Sequence, residues 1–426
     1  MPDNCEMWER IGLNMEGHDQ LMQVIPPLVQ ETFLKQENRP EKMDYFDFVL
    51  SDIHGIRVHE LQEIKKNGGK VIGTFCVYVP EEIILAAGGT CIGLCTGADV
   101  AAGEAEKVLP RNICPLIKSS IGFKMAKICP YFESTDLIIG ETTCDGKQKA
   151  WEILATMTPT YVMELPSMKR DTSRKLWQEE VKAFKNEVEK TTGKTGSDSD
   201  LKAATAKVNG KRRALLRLSD ARKADPAPIS GKDALLIEQI AFYDDVDRFT
   251  AKTNEIAEEL EGRVARGDGV FPAGTPRLMI SGTPMTVPNW KIPHIIETSG
   301  GSVVVEESCT GQRYFRELVD ESNSDTMTAI ADRYFATDCA CFSPNDERID
   351  NILKLAKEYN VDGVVYTSLM FCDPYAVEYI KVKDALDKAG IPVLKIETDY
   401  GMEDAGQIRT RVEAFLEQVK EKTPVS

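Results

Sequence analysis

The 426-residue chain has no excess of positive charge and no long apolar run. Its 52 Lys and Arg against 68 Asp and Glu give a net charge of −16. With no cations left over to neutralise phosphates, nucleic acid and anionic membranes are disfavoured as partners. No apolar run approaches the roughly 18 residues of a membrane span, and no basic region followed by an apolar stretch opens the chain. We therefore expect a cytoplasmic protein.

Histidine is scarce, and cysteine pairs of the Cys-x-x-Cys type are absent. Both absences argue against a zinc finger and against a ferredoxin-type ligand run. The eleven cysteines of a cytosolic chain should be reduced thiols, and so serve as metal ligands or core residues. The four histidines are distant in sequence from the cysteine loops: His18, His54, His59 and His294.

The length suits two or three domains. Apolar runs of four to eight residues alternate with helical patterns in two regions, which predicts an α/β fold with two doubly wound, parallel-sheet domains of the Rossmann or flavodoxin type. The predicted segments are N-terminal helices over 1–68, a first α/β domain over 69–165, a helical insert over 166–272 and a second α/β domain with a C-terminal helix over 273–426. The N-terminal segment carries no motif that predicts chemistry.

Two stretches of the chain have similar sequences: LIIGETTCDGKQKAWEIL from Leu137 and VVVEESCTGQRYFREL from Val303. Each reads as a strand, a glutamate, a cysteine, a glycine and a helix. A second pair of motifs matches Cys76 with Cys372, and a weaker third pair matches Cys114 with Cys339 or Cys341. The first alignment matches Glu141, Cys144 and Gly146 with Glu306, Cys309 and Gly311.

These cysteines fall where a strand ends and a helix begins, where α/β sheets bind ligands and negative charge is favoured. A single cysteine there is as often a core residue, but six at matched positions favour a common purpose. Thiols scattered over loops of two domains predict a metal site between them, and thiolate-only ligation favours an iron–sulfur cluster. Cys91, Cys95 or Cys129 could replace one of these ligands, although core packing is the expectation for all three.

Several motifs resemble the 2-hydroxyacyl-CoA dehydratase and benzoyl-CoA reductase superfamily over roughly 70–165 and 275–420. They are FCVYVPEEIILAAG, ICPLIKSS, ETTCDGKQKAWEI, DGVVYTSLMFCDPY and IETDYGMEDAGQIRTRVEAFLE. The resemblance implies cubane iron–sulfur clusters between two α/β domains, and electrons from a separate ATP-hydrolysing iron–sulfur activator. In the dehydratases two different chains pair and three cysteines hold one [4Fe-4S] cubane. Their counterparts here would be Cys114, Cys144 and Cys372.

The additional cysteines make the chain similar to the double-cubane cluster proteins of the same superfamily. That likeness implies a homodimer whose chains each hold an [8Fe-9S] cluster and reduce a small molecule. Six thiolates would bind the two cubanes, three to each: Cys76, Cys114, Cys144, Cys309, Cys341 and Cys372, with Cys339 as the alternative to Cys341. Two other functions stay open, namely a [4Fe-4S] subunit of a dehydratase or aryl-CoA reductase, and a non-enzymatic low-potential electron carrier.

Charged residues near the cysteines are candidates for supporting roles. Lys147 and Arg313 could tune the reduction potential of a cluster, although solvation at the surface is the expectation for both. Glu141 and Glu306 each precede a cysteine by three residues and could donate protons if burial raises their pKa. Either glutamate could equally cap a helix or pair with a lysine.

Overall fold

In the computed structural model, which describes residues 4–422, the chain forms two four-stranded parallel sheets. The first has the order β2-β1-β3-β4 and the second β6-β5-β7-β8. This confirms the predicted α/β fold class. The strands are β1 (Lys70–Thr74), β2 (Gly89–Gly93), β3 (Leu137–Glu141), β4 (Thr160–Met163), β5 (Arg277–Gly282), β6 (Ser302–Glu307), β7 (Gly363–Leu369) and β8 (Val393–Thr398).

Helices precede the first sheet, cover both sheets and join them. Those before and within the first sheet are α1 (Asn4–Arg10), α2 (Met15–Val29), α3 (Asp44–Ser51), α4 (Ile56–Lys66), α5 (Glu81–Ala86), α6 (Ala102–Ala105), α7 (Pro115–Ala126), α8 (Pro130–Ser134) and α9 (Asp145–Leu154). Those between the sheets are α10 (Asp171–Thr192), α11 (Asp198–Ala221), α12 (Gly231–Ile240) and α13 (Val246–Arg266). The second sheet carries α14 (Lys291–Thr298), α15 (Gln312–Phe315), α16 (Thr326–Phe335), α17 (Asp346–Glu358), α18 (Asp373–Lys388) and α19 (Ala405–Lys422).

The strands form where the sequence has short, almost uninterrupted apolar runs. Every residue of β3 and of β7 is buried, as expected for inner strands of parallel sheets that are covered by helices on both faces. The outer strands β4 and β8 are partly exposed. The two apolar cores each take side chains from both sheets: Ile138 and Val365 in one core, Ile139 and Val364 in the other.

The four helices between the sheets are part of the core and not a peripheral addition. Every residue of α12 is buried. Arg212 of α11 donates to Glu82 of α5, the helix that follows β1, at 2.7 Å. Just beyond α11, Arg222 donates to both carboxylate oxygens of Glu306, at 2.6 and 2.7 Å. These buried ion pairs hold the two sheets together. None of the helices within 4–422 combines the length and apolar character needed to cross a membrane.

Candidate functional site

A cavity of about 980 Å³ lies where the carboxyl ends of both sheets meet. In open parallel sheets this is the edge at which ligands bind. Segments that follow most of the strands contribute residues to its wall. The cysteines that line the cavity are Cys76, Cys95, Cys114, Cys129, Cys144, Cys309, Cys339, Cys341 and Cys372.

The first thiol set consists of Cys114, Cys144 and Cys372. The thiols of Cys114 and Cys372 are hydrogen-bonded to each other, and Cys144 lies within electrostatic range of both. The contact with Cys372 lowers the pKa of Cys114. The structure therefore brings together the three cysteines that the family resemblance assigned to one cubane.

Each cysteine of the first thiol set is the N-cap of a helix, α7, α9 or α18. The free backbone N–H groups of the first helical turn point at the sulfurs, and Lys147 N donates to Cys144 Sγ at 3.5 Å. Leu116 and Ile117 donate in the same way to Cys114. Helix N-termini stabilise negative charge, so this arrangement favours thiolates.

The second thiol set consists of Cys76, Cys309, Cys339 and Cys341. Cys339 is hydrogen-bonded to Cys309 and to Cys341, and these contacts hold the pKa of Cys339 well below its usual value. Cys76 lies within electrostatic range of the other three. None of the four is a helix N-cap, because all four lie in loops.

A buried cation and a tyrosine hydroxyl support the second thiol set. Arg313 Nη1 donates to Cys309 Sγ at 3.2 Å and to Tyr375 Oη at 2.6 Å, while its other terminal nitrogen donates to Glu307. Tyr375 Oη in turn lies 3.5 Å from Cys339 Sγ. Arg348 donates to Glu307 at 2.8 Å from the opposite side. The carboxylate therefore fixes Arg313 in its contact with the sulfur.

Lys147 lies between the two thiol sets. Its ammonium is paired with Glu141 and acts electrostatically on Cys76 of one set and on Cys114 and Cys144 of the other. The expectation that Lys147 and Arg313 are solvated at the surface is wrong. Lys147 is 9% exposed and Arg313 is 2% exposed, because each is held by a buried glutamate.

The two candidate proton donors lie in different surroundings. Burial raises the pKa of Glu141 despite its pairing with Lys147, and its second carboxylate oxygen has no hydrogen-bond partner. Neither glutamate is part of the cavity wall. Glu141 interacts electrostatically with Cys76 and Cys339, whereas both carboxylate oxygens of Glu306 accept from Arg222. Of this pair, Glu141 is therefore the one that interacts with the thiols.

The remaining cysteines take up three different positions. Cys95 lines the cavity, donates its thiol proton to Phe75 O at 2.7 Å, and has its pKa raised to about 12 by burial. Cys129 lines the cavity at the start of α8, and burial raises its pKa to about 11. Cys91 lies away from the cavity, 3.9 Å from the Thr74 hydroxyl. None of the three belongs to either thiol set.

The strand order corrects the motif pairing inferred from the sequence. Cys144 follows β3, and the equivalent strand of the second sheet is β7, which leads to Cys372 and not to Cys309. Both cysteines come three residues after the end of their strand. Cys309 follows β6, whose counterpart β2 leads to Cys95. The similar sequences therefore reflect a shared strand–cysteine–helix construction and not equivalent positions in the two sheets.

The donor chemistry of the two sets fits a cluster better than a single metal ion. None of the ten cysteines between Cys76 and Cys372 forms a disulfide. Within 4–422 no three Cys, His, Asp or Glu side chains are arranged to hold one metal ion. A cubane makes a different demand, because each thiolate binds a separate iron. Two sets of buried and half-buried thiols with nearby cations and N–H donors meet that demand.

The N-terminal helices take part in the site, which no sequence pattern indicated. Leu21 and Ile25 of α2, together with Ile53 and His54 from the loop after α3, line the same cavity as the thiols. These residues precede the first strand and carry no motif. A lone histidine between helices gives no signal in a sequence, because only packing decides where its ring points.

Fold and cavity together define a class: two-domain α/β proteins that collect thiols from both halves of the chain in one cavity. Residues 76–419 match the family described as 2-hydroxyglutaryl-CoA dehydratase, D-component. The chain belongs to this family, and so to the superfamily that the motifs resemble.

Three relatives illustrate the range of the family. The chain is 40% identical over 369 residues to "Putative dehydratase subunit YjiM" of Escherichia coli, covering 84% of this chain and 94% of that protein. It is 24% identical over 378 residues to the (R)-phenyllactyl-CoA dehydratase beta subunit of Clostridium sporogenes, with 88% and 98% covered. It is 21% identical over 363 residues to a benzoyl-CoA reductase subunit of Thauera aromatica, with 82% and 91% covered. Dehydratases and a reductase among the relatives support an enzymatic role.

Proposed function

We propose that this protein is an iron–sulfur reductase that holds a double-cubane [8Fe-9S] cluster in the cavity between its two sheets. It would reduce small unsaturated molecules with electrons from a separate ATP-hydrolysing iron–sulfur activator, and would work as a cytoplasmic homodimer. One observation carries the proposal: seven thiols from both halves of the chain line a single cavity in two sets. A single cubane with three or four ligands would leave one whole set without a purpose.

The residues proposed to hold the cluster follow from the two sets. Cys114, Cys144 and Cys372 would bind one cubane. Cys76, Cys309 and Cys341 would bind the other, with Cys339 as the alternative to Cys341. The bound cluster would supply low-potential electrons, delivered one at a time.

The protein's own residues would stabilise the negative charge of such a site. Arg313 and Tyr375 would hydrogen-bond to sulfurs of the second set, as they do to the thiols now. Helix N-termini would serve the first set in place of a cation. Lys147 would act on both sets from its position between them. Apolar walls such as Phe75 and Leu116 would restrict water.

A second function has a specific observation in its favour. The first thiol set alone provides the three cysteines of a single [4Fe-4S] site, and two of the relatives are named as subunits of a dehydratase and of a reductase. As such a subunit, the chain would need a different partner chain and would bind an acyl-CoA beside the first set.

Iron and acid-labile sulfide per chain, measured on protein purified without oxygen, test the proposal, with zinc measured on the same sample. We expect about eight irons and no zinc. About four irons, together with acyl-CoA binding and a mass that shows a second kind of chain, would favour the dehydratase subunit. Acetylene reduction that depends on ATP and on the activator would separate the reductase from an electron carrier.

A further inference from the structure

A pair of buried histidines connects the cavity to the surface of the N-terminal helices. His18 of α2 is fully buried, and its Nε2 lies 3.1 Å from Nδ1 of His54. His54 lines the cavity, and because its Nδ1 is engaged with His18, its Nε2 is the nitrogen left for the cavity. The two imidazoles therefore form a continuous path from the cavity to the buried His18 of α2.

The outer end of this pair has an unused nitrogen next to a surface carboxylate. His18 Nδ1 is buried and has no hydrogen-bond partner. Asp19 Oδ1 lies 4.0 Å from it, and the Asp19 side chain is 63% exposed. A small rotation of this side chain, or one water molecule, closes that distance. The path from solvent therefore leads to Asp19, then to His18 and His54, and ends in the cavity.

Hydrogen bonds hold the backbone at His54 in place, and burial favours the uncharged form of both rings. Trp8 Nε1 donates to the His54 carbonyl at 2.9 Å, and Tyr131 Oη donates to the neighbouring Ile53 carbonyl at 2.6 Å. Burial lowers the pKa of His54 to about 3 and also lowers the pKa of His18. A neutral imidazole has one N–H and one bare nitrogen, so it can receive a proton on one side and release one on the other.

We propose that Asp19, His18 and His54 form a proton relay from solvent into the thiol-lined cavity, where His54 donates protons to the molecule being reduced. This inference rests on the proposed reductase function, since every electron added to a small unsaturated molecule must be matched by a proton. For acetylene the balance is C2H2 + 2e− + 2H+ → C2H4, with the electrons supplied by the low-potential reductant.

For each proton, the His54 Nε2–H bond breaks as a C–H bond of the product forms. His54 Nδ1 then takes the proton of His18 Nε2, and His18 Nδ1 takes one from solvent water next to the Asp19 side chain. Solvent replaces that proton, and rotation of both rings restores their starting tautomers. The unpartnered His18 Nδ1 is the nitrogen that this sequence of transfers requires to be bare.

The first test is kinetic and uses the full-length protein with acetylene as the probe and Ti(III) citrate as the electron donor. We expect His54→Gln to lower the turnover number roughly 10- to 100-fold, with the rate at which Ti(III) reduces the protein unchanged. His54→Ala should regain activity when imidazole is added. The matched control is His59→Gln, since His59 bonds to Asn4 away from the cavity. Full activity in His54→Gln, or no rescue by imidazole, would overturn the relay.

The second test does not depend on activity. With four histidines in the chain, their imidazole signals can be assigned by ¹⁵N NMR from single variants. We expect the proton between His18 and His54 to exchange with solvent more slowly in Asp19→Asn than in the wild type. Equal exchange rates would contradict the relay. If the wild type holds no iron and reduces no acetylene, the reductase proposal fails, and the exchange rates still decide whether the relay exists.

Discussion

The two thiol sets face one cavity but stabilise negative charge by different means. The first set relies on backbone N–H groups, since Cys114, Cys144 and Cys372 each begin a helix. The second set relies on side chains, chiefly Arg313, which is itself fixed by Glu307. Backbone dipoles are present wherever a helix starts, whereas a buried arginine needs a matching carboxylate. Similar sites on one fold can therefore be built from local or from long-range contacts.

The largest expected effect is a loss of iron when a single thiol is removed. One variant removes a thiol of the first set, and a separate variant removes one of the second set. Cys144→Ala leaves two thiols in the first set, so we expect iron to fall from about eight to about four per chain. Cys341→Ala leaves three in the second set, because Cys339 remains, so iron should stay near eight. Iron and sulfide analysis measures both, with Cys95→Ala as the control that should lose none. Equal losses in Cys144→Ala and Cys341→Ala would show that the fourth thiol cannot substitute.

The two sets should differ in how well a methyl group is tolerated at the glycine two residues after Cys144 or Cys309. A Cβ at Gly311 would lie 2.3 Å from the backbone oxygen of Glu306, while one at Gly146 would lie 3.0 Å from the flexible end of Ile117. We expect Gly311→Ala to lower the free energy of unfolding by about 1–3 kcal/mol, and Gly146→Ala to change it by about 0.5 kcal/mol or less. Denaturant unfolding measures both. Similar values for the two variants would refute the difference in packing.

Arg313 should affect the second set much more than the first. Arg313→Met removes a cation that favours the more negative, reduced state, so the reduction potential of the second cubane should fall by roughly 60 mV or more. Arg313→Lys keeps the charge and should shift it less. Lys147→Met should lower both potentials, because Lys147 faces both sets. Redox titration monitored by EPR measures the reduction potential of each cubane. A shift of the first set alone in Arg313→Met would contradict the assignment.

The smallest effect is expected at the exposed start of α9. Asp145 lines the cavity next to Cys144 but is open to solvent, so its charge is screened. Asp145→Asn should raise the potential of the first set by about 20 mV or less. Higher salt should reduce this change in potential further, as the same titration would show. A larger change in potential that does not depend on salt concentration would mean that this carboxylate is buried when the cluster is bound.

The architecture could be predicted from the sequence because its signals are local. Runs such as LIIGE and GVVYTSL are mostly apolar, and such runs between helices specify inner strands of a parallel sheet. Cysteines directly after such strands had to meet at the carboxyl edges of the sheets. The burial of Lys147 and Arg313 could not be predicted in this way, because it depends on the buried glutamates that the fold places beside them.

Two parallel sheets with cysteines at their carboxyl edges are already specified by the amino-acid sequence, because short apolar runs and strand-to-helix boundaries are properties of neighbouring residues. The three-dimensional arrangement was needed to show that the thiols divide into three and four, that Cys144 corresponds to Cys372 and not to Cys309, and that His54 reaches the same cavity. Those features depend on strand order and on the packing of segments that are distant in sequence. No local pattern records such contacts, since they arise when the two halves of the chain close around one cavity.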